Sequence, residues 1–381
     1  MSEQAFIPYS CQQITQEDIE AVQEALASAF ISQGPVLGRF EADFAKKVEA
    51  QFAVGYSSGT AALHGLCMAV GLKEGDEVVV PALTFAGTSN AILYTGAKPV
   101  FADIDPISLC LAPQSVKACL SPRTRAILTV DFAGHPSPYR ELRELADCHQ
   151  VLLLSDAAHA PGGRYLGKAI GSDLADMTAF SFNPVKNIST AEGGMVTTNH
   201  PEYATKLQMA RTHGMTRDED LLVFPSEGGW YYEQQFLGFN YKLSELGAAL
   251  GVQQLKRLDI YNNRRREIAT LYTEQLSDLP LILPNDSPNG FHTRHLYPIR
   301  LREDAKIERA NLFKELQSQK IGVQVHYIPV PYHPYYRGLG YQMEQLPETE
   351  KYYRSAISIP LHAGLKEIEI ERVIRTIRSC L

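Results

Sequence analysis

The sequence TAFSFNPVKNISTAEGGMVTT, residues 178–198, places one lysine between two segments that are typical of buried β-strands. An apolar run around Phe180 and Phe182 precedes Lys186, and the strand-like run MVTT follows it. A lysine held between apolar strands is partly desolvated, which lowers its pKa and makes its amine nucleophilic. Such an amine can form a Schiff base with an aldehyde. Taken alone, the stretch also allows a lysine on a solvated loop, with its stem on apolar neighbours.

Outward from this stretch, short apolar runs alternate with helical patterns. The runs read as strands at 54–56, 77–81, 98–102, 126–130 and 151–155. The helical patterns cover 14–30, 36–52, 57–70, 85–94, 113–120, 138–148, 201–212 and 243–276. Nearly all strand residues are apolar, which indicates that both faces of the sheet are covered. The alternation predicts an α/β fold, a three-layer α/β/α sandwich with a mainly parallel sheet.

The pattern changes from about residue 281, after which the chain reads as a smaller α+β unit. Strands are predicted at 295–301 and 322–327, and helices at 306–319 and 366–380. We therefore predict a large domain of residues 1–260, including an N-terminal helical segment, and a small C-terminal domain of residues 261–381.

Composition excludes several classes of protein. The net charge of −7, with no block of like charges, argues against nucleic acid as the main partner. None of the six cysteines forms a CxxC pair, so neither a zinc site nor a disulfide framework is indicated. The spacing of His292 and His295 suits a loop entering a strand better than a metal site. No signal segment or bilayer-spanning run is present, which favours the reducing cytoplasm.

Candidate ligand-binding residues follow the predicted strands, where parallel sheets bind their ligands. The segment Ser57-Ser58-Gly59-Thr60 opens a helix, and its N–H groups suit a phosphate. The alternative is that these residues only cap the helix. Phe85 follows the second strand and can stack on a planar ring, although taken alone it is better explained as a core aromatic that opens a helix.

Asp156 ends the strand at 151–155, and His159 lies one turn further on. A carboxylate at the end of a buried strand needs a cationic partner or several donors, and a protonated pyridine nitrogen is such a partner. His159 can contact the same ring. The alternative is an aspartate that caps a helix, beside a surface histidine.

These features occur in a fixed order on successive βα turns: a phosphate cradle, a stacking ring, a carboxylate and a lysine. Ser181, five residues before Lys186, can also reach the phosphate. Together they predict pyridoxal 5′-phosphate bound to Lys186.

The chain resembles the DegT/DnrJ/EryC1/StrS family of sugar-nucleotide aminotransferases, which are fold-type I pyridoxal phosphate enzymes, from about residue 14 to the C-terminus. The motifs that carry the resemblance are SSGTAAL (57–63), GDEVVVPALTFAGTSNAI (75–92), GAKPVFADID (96–105), SDAAHAPGGRY (155–165), FSFNPVKNISTAEGG (180–194) and GFNYKLSELGAALGVQQL (238–255).

The resemblance implies a role for each of these residues. Lys186 binds the cofactor aldehyde, Asp156 pairs with the pyridine nitrogen, and His159 and Phe85 lie on either side of the ring. The phosphate contacts are Gly59, Thr60 and Ser181, together with Asn240 of a neighbouring subunit, so the resemblance also implies a homodimer with shared active sites.

Within the family, several stretches resemble the transaminases of pseudaminic acid biosynthesis: 130–134, 155–159, 190–194, 211–215, 295–299 and 325–327. This implies amino transfer from L-glutamate to C4 of a UDP-linked 4-keto-6-deoxy-N-acetyl sugar, giving UDP-4-amino-4,6-dideoxy-N-acetyl-β-L-altrosamine. His326, Tyr327 and Arg211 are the candidates for binding the nucleotide diphosphate. Asn183 departs from the pattern, because that group and the related 4-amino-arabinose transaminases often have His there; the departure bears on the choice of sugar and not on the cofactor chemistry.

Two alternatives to this function stay open. One is a transaminase for another keto sugar, such as a 4-keto arabinose or the precursor of perosamine. The other is a non-catalytic protein of the same fold that binds sugar nucleotides.

Overall fold

A seven-stranded sheet forms the centre of the protein, whose computed structural model describes residues 5–342 and 346–381. Its strands are β1 (Phe52–Tyr56), β2 (Glu77–Pro81), β3 (Lys98–Ala102), β4 (Thr124–Val130), β5 (Leu152–Asp156), β8 (Met177–Ser181) and β9 (Gly194–Thr198). They lie in the order β1-β9-β8-β5-β4-β2-β3. Strand β9 is antiparallel to both neighbours, and the other pairs are parallel.

Helices cover both faces of this sheet. They are α1 (Gln16–Ala27), α2 (Pro35–Lys47), α3 (Gly59–Val70), α4 (Ala86–Leu93), α5 (Pro113–Cys119), α6 (Tyr139–His149), α7 (Pro201–Ala210) and α8 (Glu245–Lys256). Alternate strand residues face opposite layers: Val79 packs in the core with α2 and α6, whereas Val78 and Val80 pack in the core with α3. The predicted three-layer α/β/α architecture is therefore confirmed.

A second, antiparallel sheet stands beside the first, built from β12 (Leu281–Ile282), β14 (Tyr297–Leu301) and β15 (Ala356–Ile359). It packs with α9 (Leu258–Leu276), α10 (Arg309–Ser318) and α13 (Glu367–Cys380) around a core of its own. Helix α9 links the two cores, since Leu258 lies in the first and Tyr272 in the second. The predicted domain boundary at residue 260 falls within this helix and stays a prediction.

The remaining elements are short. They are β6 (Arg164–Tyr165), β7 (Lys168–Ala169), β10 (Met215–Thr216), β11 (Glu233–Gln234), β13 (Gly290–Phe291), α11 (Pro334–Gly338) and α12 (Pro347–Ser355), with 3₁₀ turns at Phe132–Gly134, Glu219–Leu221 and Val330–Tyr332. Every helix in the described part of the chain falls short of the length and apolar character that crossing a membrane requires.

Three predicted elements are wrong in extent or type. The helix at 36–52 ends at Lys47, because Phe52 pairs with Thr198 in the sheet. The helix at 243–276 divides at Arg257 into α8 and α9. The strand at 322–327 does not form; Gln324 makes only an isolated bridge to Ser358, because the neighbouring backbone bonds to the N-terminal segment.

A buried carboxylate joins the two sheets. Asp103, directly after β3, accepts hydrogen bonds from the backbone N–H groups of Glu348 and Thr349, both at 2.9 Å, and from the Thr349 hydroxyl at 2.6 Å. These donors lie in the first turn of α12. The N–H groups of a first turn have no acceptor within their own helix. Asp103 therefore caps a helix that is distant in sequence.

We expect Asp103→Ala to lower the free energy of unfolding by about 2 to 3 kcal/mol, because it leaves buried donors without an acceptor. Asp103→Asn retains one acceptor oxygen, so its free energy of unfolding should fall by less than that of Asp103→Ala. The measurement is the denaturant midpoint, with the exposed Asp304→Ala as the control. Equal midpoints for Asp103→Ala and the control would contradict this role.

Candidate active site

A cavity of about 300 Å³ opens at the carboxyl edge of the large sheet. Its lining comes from the turns after β1, β2, β5 and β8, and from the segment before the 3₁₀ turn at Val330–Tyr332. The predicted site residues that line it are Gly59, Thr60, Phe85, Asp156, His159, Ser181, Lys186, His326 and Tyr327. Parallel strands bring these turns together, because their carboxyl ends share one edge.

The start of α3 forms an anion cradle at one end of the cavity. Ser58 caps this helix by accepting a hydrogen bond from the N–H of Ala61 at 3.1 Å. The N–H groups of Gly59 and Thr60 precede any possible intrahelical acceptor, so they stay available to a ligand. A Cβ at Gly59 would lie 2.6 Å from Cβ of Ser181, so only glycine allows this close approach.

Asp156 lies at the floor of the cavity and is 5% exposed. Its carboxylate accepts hydrogen bonds from the Thr88 hydroxyl at 2.7 Å and from the Ala158 N–H at 3.1 Å. Burial raises the pKa of Asp156, while these bonds and the charge of Lys186 act in the opposite direction. The sequence interpretation did not include Thr88, although it lies one helical turn after Phe85.

Lys186 reaches the same cavity from the loop between β8 and β9. Its amine has no hydrogen-bond or ion-pair partner among residues 5–342 and 346–381. Burial lowers the pKa of Lys186 to about 8, against the opposing effect of Asp156. Lys186 therefore lies in a cavity and not on an open surface loop, and an appreciable fraction of the amine is neutral near physiological pH.

The ring of His159 is held in a defined protonation state. Its Nδ1 accepts a hydrogen bond from the Ala133 N–H at 3.2 Å, so in the neutral ring Nε2 carries the proton and donates to the Tyr327 hydroxyl at 3.2 Å. Burial, aided by the positive charge of Lys186, keeps the pKa of His159 well below its usual value. A second imidazole, His295, stacks on it with centroids 4.3 Å apart.

His295 also lines the cavity, a role that sequence spacing did not suggest. Its Nδ1 lies 2.9 Å from Oδ1 of Asn187, next to Lys186 in the chain. The predicted residue His326 is buried and its Nδ1 lies 2.9 Å from the Ser358 hydroxyl. Burial lowers the pKa of His326 to about 3, so this ring is neutral.

Phe85 lies at the mouth of the cavity, 60% exposed, with its ring 5.9 Å from that of Tyr327. This exposure rules out the alternative of a core aromatic. A ring at the mouth can cover a planar ligand bound above Asp156.

Two predicted site residues lie outside the cavity. Arg211 pairs with Glu41 and donates to the Gly55 carbonyl at 2.8 Å, so its charge is used within the scaffold, and its predicted diphosphate contact stays a prediction. Asn240 is exposed and accepts a hydrogen bond from Lys242 at 2.8 Å. Its predicted contact with a partner subunit stays a prediction.

The arrangement fits pyridoxal 5′-phosphate. The cradle at Gly59 suits the phosphate, and a Cβ there would fill the approach to Ser181. The buried carboxylate of Asp156, which lacks a cationic partner within hydrogen-bonding distance among the described residues, suits a protonated ring nitrogen. The unpaired amine of Lys186 suits the aldehyde.

Comparison with known proteins agrees with this geometry. The chain is 40% identical over 378 residues to the spore coat polysaccharide biosynthesis protein SpsC of Bacillus subtilis (strain 168), covering 98% of this chain and 97% of that protein. Helicobacter pylori PseC, an aminotransferase involved in the biosynthesis of pseudoaminic acid, superposes with a TM-score of 0.91, 29% identity and 99% coverage of both chains.

DesV of S. venezuelae, solved in complex with a ketimine intermediate, gives a TM-score of 0.87 and 35% identity over 95% of this chain and 94% of that one. The model of the DegT/DnrJ/EryC1/StrS aminotransferase family matches residues 12–378. The protein therefore belongs to this family of pyridoxal phosphate-dependent sugar aminotransferases.

Proposed function

We propose that the protein transfers the amino group of L-glutamate to C4 of a UDP-linked 4-keto-6-deoxy-N-acetyl sugar. The product would be UDP-4-amino-4,6-dideoxy-N-acetyl-β-L-altrosamine, a precursor in pseudaminic acid biosynthesis. The observation that carries the enzymatic assignment is the unpaired Lys186 amine in the cavity that holds Asp156. The likeness to PseC supports the choice of sugar.

Six free thiols suit the reducing cytoplasm, which we propose as the location.

Pyridoxal phosphate, when bound, supplies an electron sink for the carbon that carries the transferred amine. Lys186 would hold the cofactor aldehyde, and its Nζ would take the proton from Cα of L-glutamate. In the second half-reaction the same atom delivers a proton to C4 of the sugar. Asp156 keeps the ring nitrogen protonated.

The other residues hold the cofactor in place. Gly59, Thr60 and Ser181 would bind the phosphate, and Phe85 and His159 would contact the ring. His326 and Tyr327 face the substrate. Because His326 is neutral, we propose that it contributes a hydrogen bond rather than a positive charge to substrate binding.

A second candidate substrate is another nucleotide-linked 4-keto sugar, of the 4-amino-arabinose or perosamine type. Asn183 keeps this choice open without deciding it, since His often occupies this position in both the pseudaminic acid group and the related 4-amino-arabinose transaminases. In this chain Asn183 Nδ2 donates to Glu192 Oε1 at 2.8 Å, and both side chains line the cavity. The non-catalytic alternative is not supported, because family membership makes the protein an enzyme.

We also propose a homodimer with shared active sites. Four large apolar side chains are more than 60% exposed on one segment, residues 217–239: Val223, Phe224, Trp230 and Leu237. Solvent contact of this extent is unfavourable, and a second copy of the chain would remove it. Asn240 follows directly and would reach the phosphate in the partner's site.

Replacing Lys186 by Ala should abolish both cofactor attachment and transamination, because no other lysine among residues 5–342 and 346–381 lines the cavity. The wild-type protein with pyridoxal phosphate should show visible absorption that fades when L-glutamate is added. The variant should show no lysine-bound absorption before the donor is added. The measurement is the absorption spectrum, with the exposed Lys168→Ala as the control. A colourless wild-type protein after incubation with the cofactor would refute the proposal.

The rate of cofactor attachment should follow the protonation state of Lys186. Because only the neutral amine reacts, the rate should rise about tenfold per pH unit at low pH and level off above about pH 8. Asp156→Asn removes the charge that raises this pKa, so its plateau should begin at lower pH. Stopped-flow absorbance after cofactor is added to the cofactor-free proteins measures the pH profile of the wild type and of Asp156→Asn. A wild-type rate that climbs steadily to pH 10 would contradict the lowered pKa of Lys186.

Sedimentation should give twice the mass of the chain. Phe224→Asp should weaken the dimer by placing a charge on the apolar segment, whereas Ile368→Asp, at a similarly exposed position on α13, should not. A monomeric wild-type protein that remains fully active would contradict shared sites.

A further inference from the structure

An N-terminal strap, residues 7–13, crosses from the small sheet to the active site. Ile7 forms a parallel bridge with Ile321, and its carbonyl accepts the N–H of Gly322 at 2.7 Å. The carbonyl of Tyr9 accepts the N–H of Leu361 at 3.0 Å. Main-chain bonds therefore hold the strap on the small-sheet side of the cavity.

The strap is also tied to the loop that carries Lys186. The Ser10 hydroxyl donates to the carbonyl of Val185 at 2.7 Å, one residue before the lysine. Further along, the carbonyl of Gln13 accepts a hydrogen bond from the Gln254 amide at 2.8 Å. Contacts on both sides of Tyr9 leave its backbone little freedom.

This anchoring places the side chain of Tyr9 in the cavity wall. Its ring centroid lies 5.4 Å from that of His326. The Tyr9 hydroxyl has no hydrogen-bond partner within the described ranges, although burial raises its pKa and keeps it neutral. A hydroxyl that lines a cavity and has no partner in the described chain is available to bond to a ligand.

Tyr9, His326 and Tyr327 together form a neutral wall. Burial lowers the pKa of His326 to about 3 and raises that of Tyr327, so none of the three carries a charge at neutral pH. L-glutamate brings two carboxylates, which bind best to cationic partners. A sugar ring brings uncharged hydroxyl and carbonyl oxygens, which match a neutral hydroxyl.

We infer that Tyr9 is a specificity-determining residue for the acceptor, with its hydroxyl hydrogen-bonded to an oxygen of the sugar and not to the amino donor. This inference rests on the proposed function and deepens it. A site that offers a hydrogen bond to a substrate oxygen discriminates against analogues that lack that oxygen.

The test compares the two half-reactions in holoenzyme carrying Tyr9→Phe, which removes the hydroxyl and keeps the ring. The fading of cofactor absorption with L-glutamate should match the wild type. The value of kcat/KM for the UDP-4-keto sugar that the wild type aminates fastest, chosen from a panel, should fall about fivefold or more, mainly through KM. Tyr335→Phe, exposed and outside the cavity, is the matched control.

The outcomes separate this inference from the proposed function. Wild-type protein that fails to react with L-glutamate, or that aminates no keto sugar, overturns both. If the wild type is active but Tyr9→Phe aminates the sugar as well as Tyr335→Phe does, only the role of Tyr9 is overturned. The same holds if Tyr9→Phe slows the glutamate half-reaction as much as the sugar half-reaction. Selective loss of the sugar half-reaction, with an unchanged thermal midpoint, supports it.

Discussion

A lysine amine that lies in a cavity without an ion-pair partner among the described residues is the constraint on which the rest of this structure depends. Burying a lysine disfavours its charged form, and no ion pair within the described chain compensates Lys186. The strand order brings this amine, the carboxylate of Asp156 and the start of α3 to the carboxyl edge of the large sheet. The reactive site that results explains why the unfavourable burial of the lysine is retained. The parallel register sets Asp156 beside Ala179 on β8, two residues before Ser181. The loop that carries Lys186 is thus joined at both ends to strands that pair with each other, β8 and β9.

Carboxylates placed at the starts of distant helices hold the surrounding layers. Glu245, fully buried, accepts the N–H groups of Val36 at 2.7 Å and Leu37 at 3.3 Å, which joins α8 to α2. Asp103 serves α12 in the same way. Each such bond satisfies groups that a helix leaves open and also fixes the relative position of two segments. The cavity between the two sheets depends on this fixed spacing.

Sequence patterns predicted the sheet and nine residues that line the cavity because those features depend on short-range signals. Apolar runs marked the strands, and Gly59, Asp156 and Lys186 could be found by their positions just after them. What the patterns missed depends on contacts between distant segments. Residues 322–327 have the sequence pattern of a strand, but the N–H of Gly322 bonds to the carbonyl of Ile7 in the strap and not to a neighbouring strand. Arg211 looks like a free cation until Glu41 is brought beside it. Tyr9 precedes the first helix and carries no motif, so only the folded chain places it in the cavity.

The strap has a consequence for the order in which the protein matures during its synthesis. Residues 7–13 leave the ribosome early, yet their partners at Ile321, Gly322 and Leu361 are made more than three hundred residues later. The large sheet, complete at β9, can form its edge and hold Lys186 well before then. A nascent chain would therefore acquire a cofactor pocket first and its substrate wall last. A prematurely terminated product could capture pyridoxal phosphate without the surface that selects the acceptor.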